Sequence, residues 1–363
     1  MPGIGFVIPT RDRPDELART LDLIGAYPAE QLGREPAHVV IVDNGSRTPA
    51  SEHVPRRLTN GARVEVVRLD TNLGAAARNI GAERAESSWI VMLDDDSAPI
   101  RGDFARVLNG APGSVAAVGG EIVLPDGRRE AGGLPEVVIG CGCAVRRDVF
   151  LELGGYDERF GYYAEEYDLC AKMIASGRSV VHTRELAFCH RKVTAGRDFG
   201  AILFRLVRNN AWVMARHAPD EVRQSSIDAI FDRYARIAEK EDVSDAFRRA
   251  QDEAVRTLEA QHRTPLSAEG WLRFIGEAAM IDGAIRRCTE HSIDRVRLIE
   301  PGKGEDTIRR VLAEHRIGVD DAASDAVIGT LSPGPMLDAL DRNPGAIAPW
   351  SFGVARGING VGG

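Results

Sequence analysis

The chain has 363 residues, of which 44% are hydrophobic and 28% are charged, and its formal net charge is −8. This composition is typical of a globular protein with a core of normal size, and it excludes a largely disordered chain. The acidic balance excludes a protein whose main partner is nucleic acid, and no apolar run is long enough to span a membrane.

The five cysteines lack the spacing of a zinc ribbon or a CxxC motif, which indicates reduced thiols. The chain opens on a short apolar run with no charged leader or cleavage site before it, so we expect no secretory signal. Together these features predict a cytoplasmic protein.

The first part of the chain alternates short apolar runs with stretches of helical periodicity. We predict strands over residues 5–9, 39–43, 64–69 and 89–93, and helices over residues 14–26 and 75–85. Continuous apolar runs that end in polar turns are typical of buried parallel strands. The alternation of strand and helix predicts a doubly wound α/β sheet.

The pattern changes after residue 134 and becomes mainly helical from residue 199. We predict strands over 137–145, 180–189, 296–299 and 326–331, and helices over 147–153, 164–176, 199–217, 220–261 with one or two breaks, 268–287, 305–315 and 335–341. These elements divide the chain into an α/β domain (1–198), a helical region (199–289) and a small α/β appendage with a flexible tail (290–363).

Three consecutive carboxylates, Asp94, Asp95 and Asp96, follow the predicted strand over 89–93. Ligands of open α/β sheets bind beyond the carboxyl ends of the strands, and adjacent carboxylates repel one another unless positive charge lies between them. A divalent cation shared with phosphate oxygens satisfies this need, since Mg²⁺ and Mn²⁺ favour oxygen ligands. A solvated acidic turn stays open as the alternative.

A second acidic group, Glu165, Glu166 and Asp168, lies in the first turn of the predicted helix over 164–176. On a helix, Glu165 and Asp168 share a face, whereas Glu166 points elsewhere. These carboxylates are candidates for proton transfer. Acidic residues in a first turn also suit the helix dipole without any chemistry, so both interpretations stay open.

Five motifs in a fixed order resemble glycosyltransferase family 2, the inverting enzymes of the GT-A fold. They are FVIPTRDRP, VDNGS, NLGAAARNIGAERA, VMLDDDSAP and GCGCAVRRDVFLELGGYDERFGYYAEEYDLC, and the resemblance covers roughly residues 4 to 215. It implies a GT-A-type, Rossmann-like mixed sheet with a nucleotide-sugar half (about 1–100) and an acceptor half (about 101–198). It also implies metal-assisted transfer of a sugar from a nucleoside-diphosphate donor, with UDP or dTDP favoured, to an acceptor hydroxyl.

The resemblance assigns expected functions to individual residues. Those expected to bind the nucleotide are Pro9, Thr10, Arg11, Asp43, Asn72, Gly74, Arg78, Asp94 and Asp95. Those expected at the floor of the acceptor pocket are Gly142 and Cys143, and those expected to bind the metal are Asp96 and His190. The general base is expected to be Glu166, with Glu165 and Asp168 left open because the family's usual Glu-Asp pair is Glu-Glu here.

An imidazole ligand shifts the expected metal from Mg²⁺ towards Mn²⁺. Cys141 alternates with Cys143 along the predicted strand, and we expect both to be buried small residues rather than ligands.

Two other functions compete with this interpretation. A nucleotidyltransferase would need a glycine-rich basic loop after the first strand, where this chain has IPTRDRP. A non-catalytic sugar-nucleotide-binding or scaffold subunit would not need the metal and base residues that are present.

The acceptor is unknown and is a small molecule, a glycan or a lipid-linked molecule. The sequence leaves open self-association and a peripheral membrane contact through the basic amphipathic helix over 199–217, although packing against the α/β domain is the simpler interpretation of that helix.

Overall fold

The computed structural model describes residues 4–192 and 198–353. An eight-stranded mixed sheet dominates the first half of the chain, with strand order β3-β2-β1-β4-β7-β6-β8-β5. Its strands are β1 (Gly5–Thr10), β2 (His38–Asp43), β3 (Arg63–Arg68), β4 (Trp89–Met92), β5 (Ser97–Arg101), β6 (Val115–Val123), β7 (Cys143–Arg146) and β8 (Ser179–His190).

The helices before and within the α/β region are α1 (Pro14–Ala26), α2 (Ala77–Arg84), α3 (Phe104–Asn109), α4 (Arg147–Glu152) and α5 (Glu165–Ala175). Those that follow are α6 (Phe199–His217), α7 (Asp220–Lys240), α8 (Ser244–Thr257), α9 (Ala268–Phe274), α10 (Glu277–Met280), α11 (Arg286–Glu290), α12 (Glu305–Glu314) and α13 (Pro333–Arg342). Short 3₁₀ turns occupy Ala29–Gln31, Ala50–Glu52, Gly74–Ala76, Glu158–Phe160 and Leu258–Ala260, and a π turn occupies Ile281–Ile285.

The sheet is parallel on one side and mixed on the other. Strands β3, β2, β1 and β4 run parallel, β7 runs antiparallel to both β4 and β6, and β8 is parallel to β6 but antiparallel to β5. The register pairs Thr10 with Asp43, so the carboxyl ends of β1 and β2 lie side by side. The predicted α/β class with a mixed sheet is therefore confirmed.

Most predicted elements are found close to their expected bounds, but three parts differ. The strand predicted over 137–145 is wrong, because the backbone turns at Gly140–Cys141 and only Cys143–Arg146 pairs as β7. The helix predicted over 268–287 breaks at Gly276, which has a φ of +84°. The strands β5 and β6 and the helix α3 between them were not predicted.

Two apolar layers cover the sheet. Helices α1 and α3 pack on one face, where Leu17 and Phe104 are fully buried. Helices α2, α4 and α5 pack on the opposite face together with Trp212 of α6 and Trp271 of α9. The helices after residue 199 therefore share the core of the sheet. The apolar residues Leu203 and Val207 of α6 are buried in a separate cluster with α7 and α8, whereas Trp212 and Val213 of α6 pack on the sheet. The contacts of Trp212 and Val213 agree with packing as the simpler interpretation of that helix.

A second, three-stranded parallel sheet lies near the end of the chain, with β9 (Arg295–Ile299) between β10 (Gly318–Val319) and β11 (Ala326–Ile328). We call this sheet with α12 and α13 the C-terminal unit. It contacts the large domain at α5, where Lys303 donates a hydrogen bond to the hydroxyl of Tyr167 and lies 4.3 Å from its ring centre.

None of the helices within residues 4–192 and 198–353 has the length and apolar character that a bilayer crossing requires. The flexible tail predicted at the end of the chain falls mostly on residues 354–363, which lie outside the described residues.

Candidate active site

The acidic turn after β4 gives its three aspartates three different sets of partners. Asp94 accepts a hydrogen bond from Arg78. Asp95 accepts one from the hydroxyl of Thr10 at 2.9 Å. Arg13 joins the other two aspartates, with one guanidinium nitrogen 2.5 Å from Asp95 and another 2.8 Å from Asp96. Positive charge therefore lies between the adjacent carboxylates, as their mutual repulsion requires.

The surroundings drive the pKa values of two of these aspartates apart. Burial raises the pKa of Asp95 to about 7, because the ion pair with Arg13 and the hydrogen bond from Thr10 only partly offset the loss of solvent. Burial acts on Asp96 in the same direction, but hydrogen bonds from His190 and Arg13 outweigh it and hold the pKa of Asp96 well below its ordinary value. Asp96 is thus the more firmly ionised of the two.

His190 reaches the acidic turn because β8 pairs antiparallel with β5. The register places His190 opposite Ser97, the residue after Asp96. Its Nε2 lies 3.3 Å from Oδ1 of Asp96, and its Nδ1 lies 2.9 Å from Oε2 of Glu130. An N–H at Nδ1 therefore donates to Glu130, which leaves Nε2 directed at Asp96.

This arrangement fits a divalent cation. The donor atoms of Asp94, Cys141 and His190 lie within 4.8 Å of one another, and Oδ1 of Asp96 is next to Nε2 of His190. Carboxylate oxygens with one imidazole suit Mn²⁺ better than Mg²⁺. Cys141, expected only as a buried small residue, lies with its Sγ 3.6 Å from Nδ1 of His190, on the side of the ring that faces Glu130.

The acidic helix α5 presents Glu165 and Glu166 to the same cleft as the acidic turn. The N–H of Gly140 donates to Oε1 of Glu166 at 3.1 Å. Oε2 of Glu165 is buried without a hydrogen-bond partner among the described residues. Burial raises the pKa of both carboxyls, and for Glu165 the adjacent Glu166 carboxylate raises it further.

Asp168 does not reach the cleft, and its geometry contradicts its candidacy as the base. It is 1% exposed, and its carboxylate lies 3.0 Å from Arg216, 2.9 Å from His217 and 2.6 Å from Lys172. These contacts join α5 to α6, and they hold the pKa of Asp168 well below its ordinary value although burial opposes them. Asp168 is therefore a structural carboxylate.

The backbone just before α5 is held in an unusual conformation. Tyr163 and Ala164 both have positive φ, at +73° and +67°, a region that residues other than glycine rarely adopt. The side-chain amide of Asn209 on α6 donates to the carbonyls of Phe160, Tyr162 and Tyr163 at 3.0, 2.9 and 2.7 Å. Asn209 is fully buried, so α6 fixes the loop that places Glu165 and Glu166.

The acidic turn, His190 and the start of α5 surround one cleft of about 660 Å³. The predicted site residues that line it are Pro9, Thr10, Arg11, Arg78, Asp94, Asp95, Asp96, Glu165, Glu166 and His190. A neighbouring pocket of about 410 Å³ shares Thr10 and Arg13 with the cleft and extends along the loop after β2 to Ser46 and His53. The two cavities together offer room for a nucleotide beside a sugar.

Three of the residues expected at the nucleotide lie outside the cleft lining. Asp43 is fully buried and accepts hydrogen bonds from the N–H groups of Ser46 and Ala50. These bonds outweigh the effect of burial and lower its pKa. Its carboxylate thus shapes the loop that lines the neighbouring pocket.

Asn72 and Gly74 belong to the loop before α2 and help to determine its conformation. Asn72 is exposed, and its side chain accepts from the N–H of Gly74 at 2.9 Å. Gly74 has a φ of +63°, and a Cβ there would lie 2.3 Å from the carbonyl oxygen of Gly161. The missing side chain lets this loop approach the loop that leads into α5.

Gly142 and Cys143 do not form the floor of the cleft. A Cβ on Gly142 would lie 2.6 Å from the side chain of Ile122, which belongs to the apolar layer that α1 and α3 form on the sheet. Cys143 is fully buried where β7 pairs with β4. The turn one residue earlier supplies the floor instead, with Ile139, Gly140 and Cys141 lining the cleft.

Sequence reasoning missed Arg13, Glu130 and Asn209. Arg13 had a local signal, because it lies two residues after Arg11 in the same IPTRDRP motif. Glu130 and Asn209 had none, since their partners are 60 and 46 to 49 residues away along the chain.

The fold and this cleft together define a GT-A-type domain. The structure of GalNAc-T7 with UDP, GalNAc and Mn²⁺ superposes with a TM-score of 0.52 at 17% identity, over 72% of this chain and 58% of that one. A likeness at this level of identity supports the fold alone.

Residues 6–134 match the model of glycosyl transferase family 2. The O-antigen biosynthesis protein RfbC of Myxococcus xanthus is 23% identical over 233 residues, which cover 54% of this chain and 18% of that protein. The pre-mycofactocin glycosyltransferase of Mycobacterium tuberculosis (strain CDC 1551 / Oshkosh) is 26% identical over 220 residues, which cover 54% of this chain and 44% of that protein. The match of residues 6–134 to this family confirms the resemblance seen in the motifs. The matched regions span less than half the length of these two relatives.

Proposed function

We propose that this protein is an inverting, metal-assisted glycosyltransferase that moves a sugar from a nucleoside diphosphate, with UDP or dTDP favoured, to an acceptor hydroxyl. One observation carries the proposal: a single cleft brings the acidic turn with His190 together with the carboxylates of Glu165 and Glu166. A cation-binding group and a proton acceptor on two sides of one cavity are what a single displacement at an anomeric carbon requires.

We assign the nucleotide to the edge of the sheet formed by the ends of β1, β2 and β4. Thr10 and Arg11 would line the nucleoside pocket, while Arg13 and Arg78 provide fixed positive charge beside the acidic turn. Asp43 would contribute to nucleotide binding indirectly, by holding the loop after β2 that lines the neighbouring pocket. The GalNAc-T7 structure contains UDP, which supports only the class of ligand that we propose for this cleft.

Asp96 and His190 would hold a divalent cation, and we favour Mn²⁺ over Mg²⁺ because of the imidazole. A bound cation supplies positive charge where negative charge develops on the departing diphosphate. The protein's own part is to fix Asp96 ionised and to keep Nε2 of His190 directed towards it.

We assign the general base to Glu166. Its carboxylate lines the cleft, and the N–H of Gly140 orients one oxygen, which leaves the other to accept the proton of an acceptor hydroxyl. Its raised pKa makes it a stronger base than an ordinary glutamate, as proton abstraction near neutral pH favours. The Glu166 carboxylate raises the pKa of Glu165, the more buried of the pair, so Glu166 would be the one of the two that is ionised and able to accept a proton. One base and one cation suffice for inversion, so no enzyme nucleophile is needed.

We further propose residues 1–198 as the catalytic domain, with donor contacts in about 1–100 and acceptor contacts in about 101–198. The placement of the acidic turn in the first part and of Gly140, Glu165 and Glu166 in the second supports this division. The shared core with α6 and α9 implies that the helical region 199–289 completes the domain structurally.

The test is thermal-shift screening against UDP, dTDP, GDP and ADP, each with and without Mn²⁺. A ligand that binds only the folded state adds about 2.7 kcal/mol of stability at a hundredfold excess over Kd. We expect one pyrimidine diphosphate to raise the melting temperature only with Mn²⁺. Asp96→Ala should abolish this shift, whereas Asp22→Ala, on the exposed face of α1, should keep it.

Consumption of the matching sugar nucleotide then separates a transferase from a non-catalytic binding subunit. Release of free nucleoside diphosphate at a rate that depends on Glu166 supports transfer. Tight metal-dependent binding with no turnover towards water or any hydroxyl acceptor contradicts it.

A further inference from the structure

The imidazole of His190 is held from behind by a carboxylate that neither the motifs nor the proposed reaction uses. Oε2 of Glu130 lies 2.9 Å from Nδ1 of His190, and Glu130 is 8% exposed. A histidine that donates one N–H to a carboxylate is fixed in its ring orientation, and its other nitrogen can bind a metal ion in exchange for its proton. Glu130 thereby determines which nitrogen of His190 faces Asp96.

Glu130 is itself fixed on three sides. Its other oxygen, Oε1, accepts from Nζ of Lys192 at 2.8 Å. Its N–H donates to the carbonyl of Ile122 on β6 at 2.8 Å. Helix α13 of the C-terminal unit passes so close to its carbonyl oxygen that a Cβ on Gly334 would lie 2.3 Å away.

The C-terminal unit also forms hydrogen bonds and ion pairs with Arg129, the residue before Glu130. The N–H of Arg129 donates to Asp338 at 3.0 Å, and one of its guanidinium nitrogens lies 2.8 Å from Asp338 and 2.7 Å from Asp341. The side chains of Arg129 and Asp338 are each 14% exposed, so this ion pair is better shielded from solvent than most pairs on the surface. It connects α13, about two hundred residues away in sequence, to the segment behind the metal-binding residues.

We propose that Glu130 is a positioning residue that orients His190 for a divalent cation, and that α13 of the C-terminal unit holds Glu130 in place through Arg129. The inference rests on the proposed metal-assisted function and assigns to the C-terminal unit a part in it. The competing explanation is that Glu130 forms only a structural ion pair with Lys192, in which case its loss lowers stability and leaves the metal affinity unchanged.

The test measures Mn²⁺ alone, without nucleotide, by titration of the full chain and detection of free Mn²⁺ by electron paramagnetic resonance. Loss of a carboxylate behind a metal-binding histidine typically weakens metal binding by about 10- to 100-fold, and we expect this for Glu130→Gln. Glu136→Gln is the matched control. It removes a carboxylate from the same connection between β6 and β7, but one that pairs with Arg273 rather than with His190.

A second pair of variants changes residues of the C-terminal unit and leaves Glu130 itself in place. It keeps the inference testable if Glu130→Gln fails to fold. The double change Asp338→Asn with Asp341→Asn should weaken Mn²⁺ binding by a smaller factor, about 3- to 10-fold, since it loosens Glu130 without removing it. Glu300→Gln breaks a different ion pair of α13, with Arg342 at 3.1 Å, and should leave Mn²⁺ binding unchanged.

The outcomes separate this inference from the proposed function. If the wild type binds Mn²⁺, His190→Ala loses it, and Glu130→Gln binds as tightly as the wild type, the inference is overturned while the metal-assisted function stands. Equal affinities for the Asp338, Asp341 double variant and for Glu300→Gln overturn the part assigned to α13. A wild type that binds no Mn²⁺ overturns both the inference and the metal assistance on which it rests.

Discussion

Replacing Asn209 by alanine should loosen the loop that carries the candidate base. The side-chain amide has two hydrogens and three carbonyl acceptors, those of Phe160, Tyr162 and Tyr163, so roughly two full hydrogen bonds are lost. Each buried hydrogen bond contributes about 1 kcal/mol net, and an unsatisfied buried carbonyl adds to the loss. We expect the free energy of unfolding to fall by about 2–3 kcal/mol.

The same change should slow the reaction beyond its effect on stability. Tyr163 and Ala164 have positive φ, a conformation that persists only where surrounding contacts impose it. Without Asn209 the start of α5 can relax, and displacement of Glu166 by about 1 Å lowers the rate by up to about 100-fold. Urea denaturation measures the stability, and hydrolysis of the sugar nucleotide measures the rate without an acceptor.

Asn210→Ala is the matched control for this prediction. Asn210 is the next residue on α6, but its amide donates to the carbonyl of Leu206 in its own helix at 2.8 Å and to the hydroxyl of Tyr234 at 3.3 Å. Its loss should lower the free energy of unfolding by about 1 kcal/mol and leave the hydrolysis rate unchanged. Equal effects of the Asn209 and Asn210 variants on both quantities would refute the reasoning.

Three further predictions concern the cleft and its loops. Glu166→Gln should reduce turnover by about 10²- to 10⁴-fold with little change in donor binding. Asp168→Asn should mainly lower stability in a denaturation assay. The reverse pattern would reassign the base. The base must be ionised, and burial raises the pKa of Glu166 above its ordinary 4.5. Turnover should therefore be retained at high pH and lost as the pH falls through that raised pKa. A rate that begins to fall only below pH 4.5 would exclude Glu166 as the base. Gly74→Ala should destabilise the protein by more than about 1 kcal/mol, because the new Cβ would lie 2.3 Å from the carbonyl of Gly161 at a φ of +63°, and melting temperatures check this.

The fold was most predictable where sequence periodicity is local. Helix α1 combines a proline at its start with apolar residues on one face, and its bounds follow from the sequence alone. Strand β6 was missed because VAAVGGEIV mixes small residues with two glycines and has little strand character. Its stability comes from pairing with β7 and β8, which no local pattern reveals.

The candidate site divides in the same way. Adjacent residues such as Asp94 to Asp96 and Glu165 with Glu166 stand out as clusters, and the structure places all of them on one cleft. The separation of Asp168 from its neighbours depends on Arg216 and His217, which are 48 and 49 residues away. Glu130 likewise becomes relevant only when β8 brings His190 beside it.

The acidic turn illustrates why proximity in sequence is a weak guide to function. Asp94, Asp95 and Asp96 are chemically identical, but the turn directs Asp94 to Arg78, Asp95 to Thr10 and Arg13, and Asp96 to Arg13 and His190. Burial raises the pKa of Asp95 to about 7, so the turn does not need to hold three full negative charges at neutral pH. Asp96, the carboxylate next to Nε2 of His190, keeps its negative charge. Because Glu130 holds Nδ1 and so keeps Nε2 directed at Asp96, we expect the metal affinity of the acidic turn to depend on a residue from a different strand connection and, through Arg129, on the C-terminal unit.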